Sequence, residues 1–268
     1  MLKGKTALVT GSTRGIGEAA ARALAAQGCN VMMNGFGDSG EIETKRAAIE
    51  AETGASVRYH DADLSDSDQL DALVDATEEI FGAPDILVNN AVIRYFNDIV
   101  DFDRDDWRHA LSVNLTAPFF LTQRVLPAMR NRNWGRIVNI SSVMGLGARS
   151  GRADYITSKT GLIGLTRAVA AETREDPHVT CNAICPGSVL TPNTEIKIGE
   201  LAEAEGLEFE DAKAQYLLRR GQKTGYIDPA QIADLIVFLC QDSSMDITGA
   251  AIPIDRGRSA TWLEGAAG

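Results

Sequence analysis

Tyr155 and Lys159 stand four residues apart in Tyr155-Ile156-Thr157-Ser158-Lys159, a helix-favouring stretch, so a phenol and an ammonium share one helix face. A cation on that face favours the ionised phenol, the form that takes a proton from an alcohol. Thirteen residues before Tyr155, Ser142 follows the apolar run Ile137-Val138-Asn139-Ile140 and its neighbour Ser141. A serine ending a strand beside the tyrosine can hydrogen-bond a substrate oxygen. Alone, the Tyr-x-x-x-Lys spacing serves an exposed helical pair equally well, so the surrounding elements must decide.

Those elements alternate between strand and helix. Residues 5–10 form a β-rich run, then comes Gly11-Ser12-Thr13-Arg14-Gly15-Ile16-Gly17, then an alanine-rich amphipathic helix to about 27. Glycines in this βα turn let the backbone approach a pyrophosphate, while N–H groups and the positive helix end face the anion. A tight turn without a ligand is the alternative. A second strand, 30–34, leads to Gly35-Phe36-Gly37-Asp38, with no acid at 35 or 36 to accept ribose hydroxyls. Arg14 could pair with a 2′-phosphate. A helix over about 40–53 precedes the strand 56–60, and Asp63 and Leu64 follow it. Asp63 suits an adenine amino group, with Ser65 or Asp66 as helix cap.

After a helix over 66–81, the strand 85–88 delivers Asn89-Asn90-Ala91-Val92. Residues 104–130 read as one long helix with Asn114 among apolar neighbours. The fifth strand is 135–140, the segment 143–152 is a loop with Arg149 and Arg152, and 153–174 is the helix of Tyr155 and Lys159. A sixth strand, 179–184, runs into Cys185-Pro186-Gly187-Ser188-Val189-Leu190-Thr191-Pro192. The Glu-, Ala- and Lys-rich stretch 193–224 reads as a helical lid. A helix over 229–240 and a strand over 251–255 close the chain, and the tail after Arg258 is expected to be loosely ordered.

The 268 residues, 44% hydrophobic, suffice for one large core without a second domain. A net charge of −11 argues against nucleic acid as a partner, because phosphate binding needs a basic face. Cys29, Cys181, Cys185 and Cys240 lie in or beside apolar runs and read as buried thiols, and His60, His109 and His178 lack zinc-ligand spacing, so no metal is expected. With no signal-like start and no membrane-length apolar run, the expectation is a soluble, cytoplasmic protein.

The motifs at residues 6–255, in this order and spacing, resemble the short-chain dehydrogenase/reductase family. The resemblance implies a single-domain α/β fold, a Rossmann-type doubly wound parallel sheet with helices on both faces. It implies hydride transfer between a nicotinamide and a secondary alcohol or ketone. It assigns catalysis to Asn114, Ser142, Tyr155 and Lys159, with Asn114 kinking its helix and holding a water linked to the lysine. Cofactor contacts fall at Gly11, Thr13, Arg14, Gly15, Ile16 and Gly17 in the turn, and at Phe36, Asp63, Leu64, Asn90 and Ala91 beyond it. Tyr155 and Lys159 at the nicotinamide end join Pro186, Gly187, Val189 and Thr191. The resemblance also implies a homotetramer joined through the helices 104–130 and 153–174.

Within the family the chain looks most like the 3-hydroxybutyrate dehydrogenases, through Asn34-Gly35-Phe36-Gly37-Asp38, Asn182-Ala183-Ile184-Cys185-Pro186-Gly187 and Leu201-Ala202-Glu203-Ala204-Glu205-Gly206. That likeness favours NAD over NADP. Their acid-gripping glutamine, histidine and lysine correspond to Arg94, Met144 and Arg152, and Val92 replaces a glycine usual in the family. With Ser142, these positions make the expected substrate an anionic hydroxy or oxo acid, larger than hydroxybutyrate or differently shaped. An NADPH-dependent 3-oxoacyl-type reductase and a non-catalytic cofactor sensor are the alternatives.

Overall fold

The computed structural model describes residues 2–222 and 225–261. Its centre is a parallel sheet of seven strands among the described residues: β1 Thr6–Val9, β2 Asn30–Asn34, β3 Val57–His60, β4 Ile86–Asn89, β5 Gly135–Ile140, β6 Val179–Pro186 and β7 Ala251–Ile254. The spatial order is β3-β2-β1-β4-β5-β6-β7. Sequence order therefore reverses between β1 and β4, which opens a crevice above their carboxyl ends.

Each central strand is apolar on both sides, as a sheet covered on two faces requires. In β1, Ala7 and Val9 join a core with α1 (Gly15–Ala26), α2 (Ser39–Thr53) and α9 (Pro229–Cys240). Leu8 between them joins the opposite core with α3 (Ser67–Phe81) and α5 (Ala117–Asn131). The helix α6 (Ala153–Glu172) adds Val169 to that second core. The four cysteines are free and buried. No described helix is long and apolar enough to cross a membrane.

The expected helix over 104–130 is interrupted around Asn114, where the family resemblance implies a kink. It consists of α4 (Arg104–Leu111), a wide π turn over Ser112–Thr116, and α5. The wide turn brings the Asn114 carboxamide against the strand-end segment, as described below. The stretch after β6 is likewise two helices, α7 (Pro192–Glu205) and α8 (Phe209–Leu218), because Gly206 caps α7 in the left-handed region at φ 65°. Residues 223–224 of the expected lid lie outside the described residues. The expected loop at 143–152 holds a 3₁₀ turn at Val143–Gly145, and β6 runs two residues beyond its expected end, to Pro186. Residues Arg258–Thr261 form a further 3₁₀ turn, tied down by the Asp255 carboxylate, which accepts from Gly257 N and Ser259 N; the tail from 262 lies outside the described residues.

Candidate active site

A cavity of about 460 Å³ opens over the carboxyl ends of the strands. At one end lies the glycine turn between β1 and α1. Gly11 and Gly15 have φ near +60°, and a Cβ on Gly11 would sit 2.8 Å from Ala91 Cα. A Cβ on Gly17 would fall onto the Gly11 carbonyl oxygen. Asn90 locks the turn by donating from Nδ2 to the Thr10 and Gly11 carbonyls, both at 2.9 Å. Thr13 Oγ1 donates to the Phe36 carbonyl at 3.0 Å, joining the turn to the end of β2.

Arg14, Ile16, Phe36, Asp63, Leu64 and Ala91 line the same end, with Arg14 and Phe36 exposed at its rim. Asp63 Oδ1 accepts from Ser65 N and Oγ at 2.8 Å, and Asp66 is the residue that caps α3. Asp38 caps α2 by accepting from Glu41 N, so its carboxylate is engaged away from the Gly35-Phe36 position. Across the cavity stand Pro186, Gly187, Val189 and Thr191. Gly187 N donates to the Ile254 carbonyl at 3.0 Å, and Thr191 caps α7. A shaped glycine turn at a helix N-terminus, continuous with a cavity of this size, fits a dinucleotide.

The other end gathers the residues suited to proton transfer. Ser142 ends the segment after β5, buried, with Oγ accepting from Met144 N at 3.1 Å. Tyr155 projects from the first turn of α6. Lys159, one turn on, is only 2% exposed and donates from Nζ to the Ile140 carbonyl at 2.7 Å. Burial, with like charge from Arg94 adding, pushes its pKa down from 10.5 to about 7. Lys159 Nζ lies 5.8 Å from the Tyr155 ring centre, while the Arg152 guanidinium lies closer, at 4.7 Å. Two cations therefore stand beside the phenol ring, and the second, Arg152, is the N-cap residue of α6.

Asn114 is fully buried and grips Ile93, donating to its carbonyl and accepting from its N–H, both at 2.9 Å; Nδ2 also reaches Ser158 Oγ at 3.3 Å. Among the described residues its side chain makes no direct hydrogen bond to Lys159. Val92, beside this clamp, keeps a negative φ, so the β-branched residue in place of glycine brings no left-handed strain.

Arg152 is 8% exposed, packed between Phe96 at 4.1 Å and Tyr155, and its Nε has no hydrogen-bond partner. Burial lowers its pKa to about 10. Arg94 is exposed at the cavity mouth, 5.9 Å from the Tyr155 ring centre, and Met144 completes the lining. Reasoning from the sequence missed Asp154. It is buried, and its Oδ2 accepts from Tyr95 N at 2.9 Å, so the segment carrying Arg94 and Phe96 is held from both Asn114 and α6. Its position one residue before Tyr155 was the available signal. Arg220 and Arg258 are also in the lining; Arg220 is distant in sequence from every motif and gave no signal, whereas Arg258 follows closely on the Asp255 strand end.

A glycine turn for a dinucleotide at one end, and a serine, tyrosine and lysine converging at the other, make a site for hydride and proton exchange with a carbinol. Residues 5–200 match the short chain dehydrogenase family, and this chain belongs to it. It is accordingly an oxidoreductase that uses a nicotinamide cofactor and acts on an alcohol or the corresponding ketone. It is 40% identical to D-beta-hydroxybutyrate dehydrogenase from Cupriavidus necator, over 96% of this chain and 98% of that one. It is 37% identical to a 3-oxoacyl-(acyl-carrier-protein) reductase from Aquifex aeolicus, with 96% and 98% covered. The solved L-sorbose reductase from Gluconobacter frateurii, complexed with NADPH and L-sorbose, is similar at a TM-score of 0.88 and 25% identity, covering 94% of this chain and 95% of that chain.

Proposed function

We propose that this enzyme oxidises the secondary hydroxyl of an anionic hydroxy acid, or reduces the matching oxo acid, with NAD as its cofactor. The observation that carries the substrate charge is Arg152: a buried guanidinium, unpaired at Nε, stacked against the ring of the proposed proton-transfer residue. A carboxylate brought to it gains a charge-assisted, bidentate partner in a low-dielectric site.

A bound nicotinamide supplies the hydride acceptor or donor. Tyr155 Oη takes the carbinol proton in oxidation and returns it in reduction, Ser142 Oγ orients the carbinol oxygen, and Lys159 holds positive charge beside the phenol and binds the nicotinamide ribose. Asn114 anchors the relay side of the site through Ile93 and Ser158. The turn Gly11–Gly17 and the segments at 36, 63–64, 90–91 and 186–191 bind the dinucleotide. The helices α7 and α8 act as the substrate lid, a role supported by Asn193, Thr194 and Arg220 in the cavity lining. We also assign a cytoplasmic homotetramer, for which Phe119 and Phe120, exposed on α5, supply apolar contact surface.

Tyr155→Phe is expected to lower turnover by about 10²–10⁴-fold with cofactor affinity retained. Arg152→Ala is expected to raise KM for the acid about tenfold or more. Normal turnover in the first variant, or an unchanged KM in the second, refutes the respective assignment. An NADPH-dependent 3-oxoacyl-type reductase is the second reading, favoured by Arg14 exposed at the N-terminus of α1. Parallel rates with NAD and NADP separate the two.

A further inference from the structure

The substrate end holds more positive charge than one carboxylate can use. Arg94, Arg149, Arg152, Arg220 and Arg258 all line the cavity. They converge from separate segments: after β4, before α6, after α8, and from the final 3₁₀ turn. Elsewhere in this acidic chain arginines find carboxylates, as Arg22, Arg46, Arg124 and Arg219 do. Arg219 pairs with Glu205 at 2.6 Å, whereas its neighbour Arg220 donates to the Tyr216 hydroxyl, at 3.2 Å. Among the described residues no ion pair forms to Arg94, Arg149, Arg152 or Arg220, although Asp98, Asp101 and Glu200 line the adjoining recess.

That recess is bounded by Arg149, Arg152, Lys197 and Arg220, so positive charge extends from Tyr155 towards α7 and α8. The arginines act on one another. Burial lowers the pKa of Arg152, with Arg94 and Arg220 among the opposing charges, and burial lowers that of Arg258, with Arg220 and Arg149 contributing. Asp154 and Asp255 offset part of this repulsion at Arg152 and Arg258, and the like charges of Arg94, Arg149 and Arg220 beside them favour an anionic ligand. A single carboxylate beside Tyr155 would leave the distal group unmatched.

We propose that the substrate carries two anionic groups: one held by Arg152 and Arg94 beside the reacting carbon, the other by a distal subsite of Arg149 and Arg220. The distal group is a carboxylate, phosphonate-like or sulfonate oxyanion, all of which a guanidinium grips bidentately or by charge. This rests on the hydroxy-acid reading above.

Glutarate, 3-phosphonopropionate and 3-sulfopropionate, compared with butyrate by calorimetry on the NAD-loaded enzyme, test it. At least one dianion is expected to bind about ten- to a hundredfold tighter than butyrate. The order among the three identifies the distal group. The double variant Arg149→Gln, Arg220→Gln is expected to weaken that dianion about tenfold more than it weakens butyrate. Equal binding of butyrate and every dianion by the unmodified enzyme overturns the distal subsite and leaves the hydroxy-acid reading intact, as does a preference that the folded double variant retains. Binding of none of the four anions, with turnover of neutral alcohols alone, overturns both.

Discussion

Lys159→Met removes an ammonium that the fold holds at 2% exposure with its hydrogen bond to the Ile140 carbonyl. In the cofactor-free protein, burial lowers its pKa from 10.5 to about 7, with Arg94 adding like charge. Between those two values the unfolded chain binds more protons than the folded one. Stability from this group therefore rises as pH climbs from about 7 towards 10.5, and is lost as pH falls through 7. The gap corresponds to a penalty of about 5 kcal/mol at pH 6, shrinking to roughly 2 kcal/mol at pH 9. Methionine fills similar volume without charge, so the penalty disappears. The Ile140 carbonyl loses its partner, costing about 1–3 kcal/mol at either pH. The variant should be the more stable at pH 6, and its advantage should fall by about 3 kcal/mol at pH 9. Urea denaturation followed by circular dichroism at the two pH values measures this difference. Turnover should fall by about 10²–10⁴-fold. An identical stability difference at both pH values would refute burial of the charge as the dominant effect.

The clamp on the segment 93–96 makes Asp154 a positioning residue. Asp154→Ala should raise KM for the acid substrate about tenfold while KM for the cofactor stays within about twofold, and parallel changes in both would count against it. Gly17→Ala drives a methyl group into the Gly11 carbonyl oxygen and Asn90, so affinity for reduced cofactor should fall about 10–100-fold in a fluorescence titration. Undiminished affinity would mean that the turn can open freely. Phe96→Ala uncovers one face of the Arg152 guanidinium; with the packing lost, acid binding should weaken about threefold in calorimetry. No change would place the arginine's support on Tyr155 alone.

Much of the fold was legible because strand and helix leave local signatures. The glycine turn at 11–17, the Asp228-Pro229 start of α9 and the apolar runs of β1 to β6 required no distant partner to be read. Asn114 was legible as a buried polar residue, but its hydrogen bonds to Ile93 required the π turn, which no local spacing announces. The same holds for the lid stretch, where composition indicated helix and only Gly206 in its left-handed conformation divided it.

The site divides along the same line. Ser142, Tyr155 and Lys159 lie close in sequence on one strand end and one helix, so strand and helix geometry alone brings them together. The sequence by itself thus determined the chemistry, a phenol, a hydroxyl and an amine behind a dinucleotide-binding half. Only the tertiary structure decided the electrostatics around it. Burial of Lys159 and Arg152, and the convergence of Arg149, Arg220 and Arg258 on one cavity, depend on which distant segments pack over the sheet edge. Desolvation and like-charge repulsion act through space, and residues separated by more than a hundred positions come within their range only when the chain is folded.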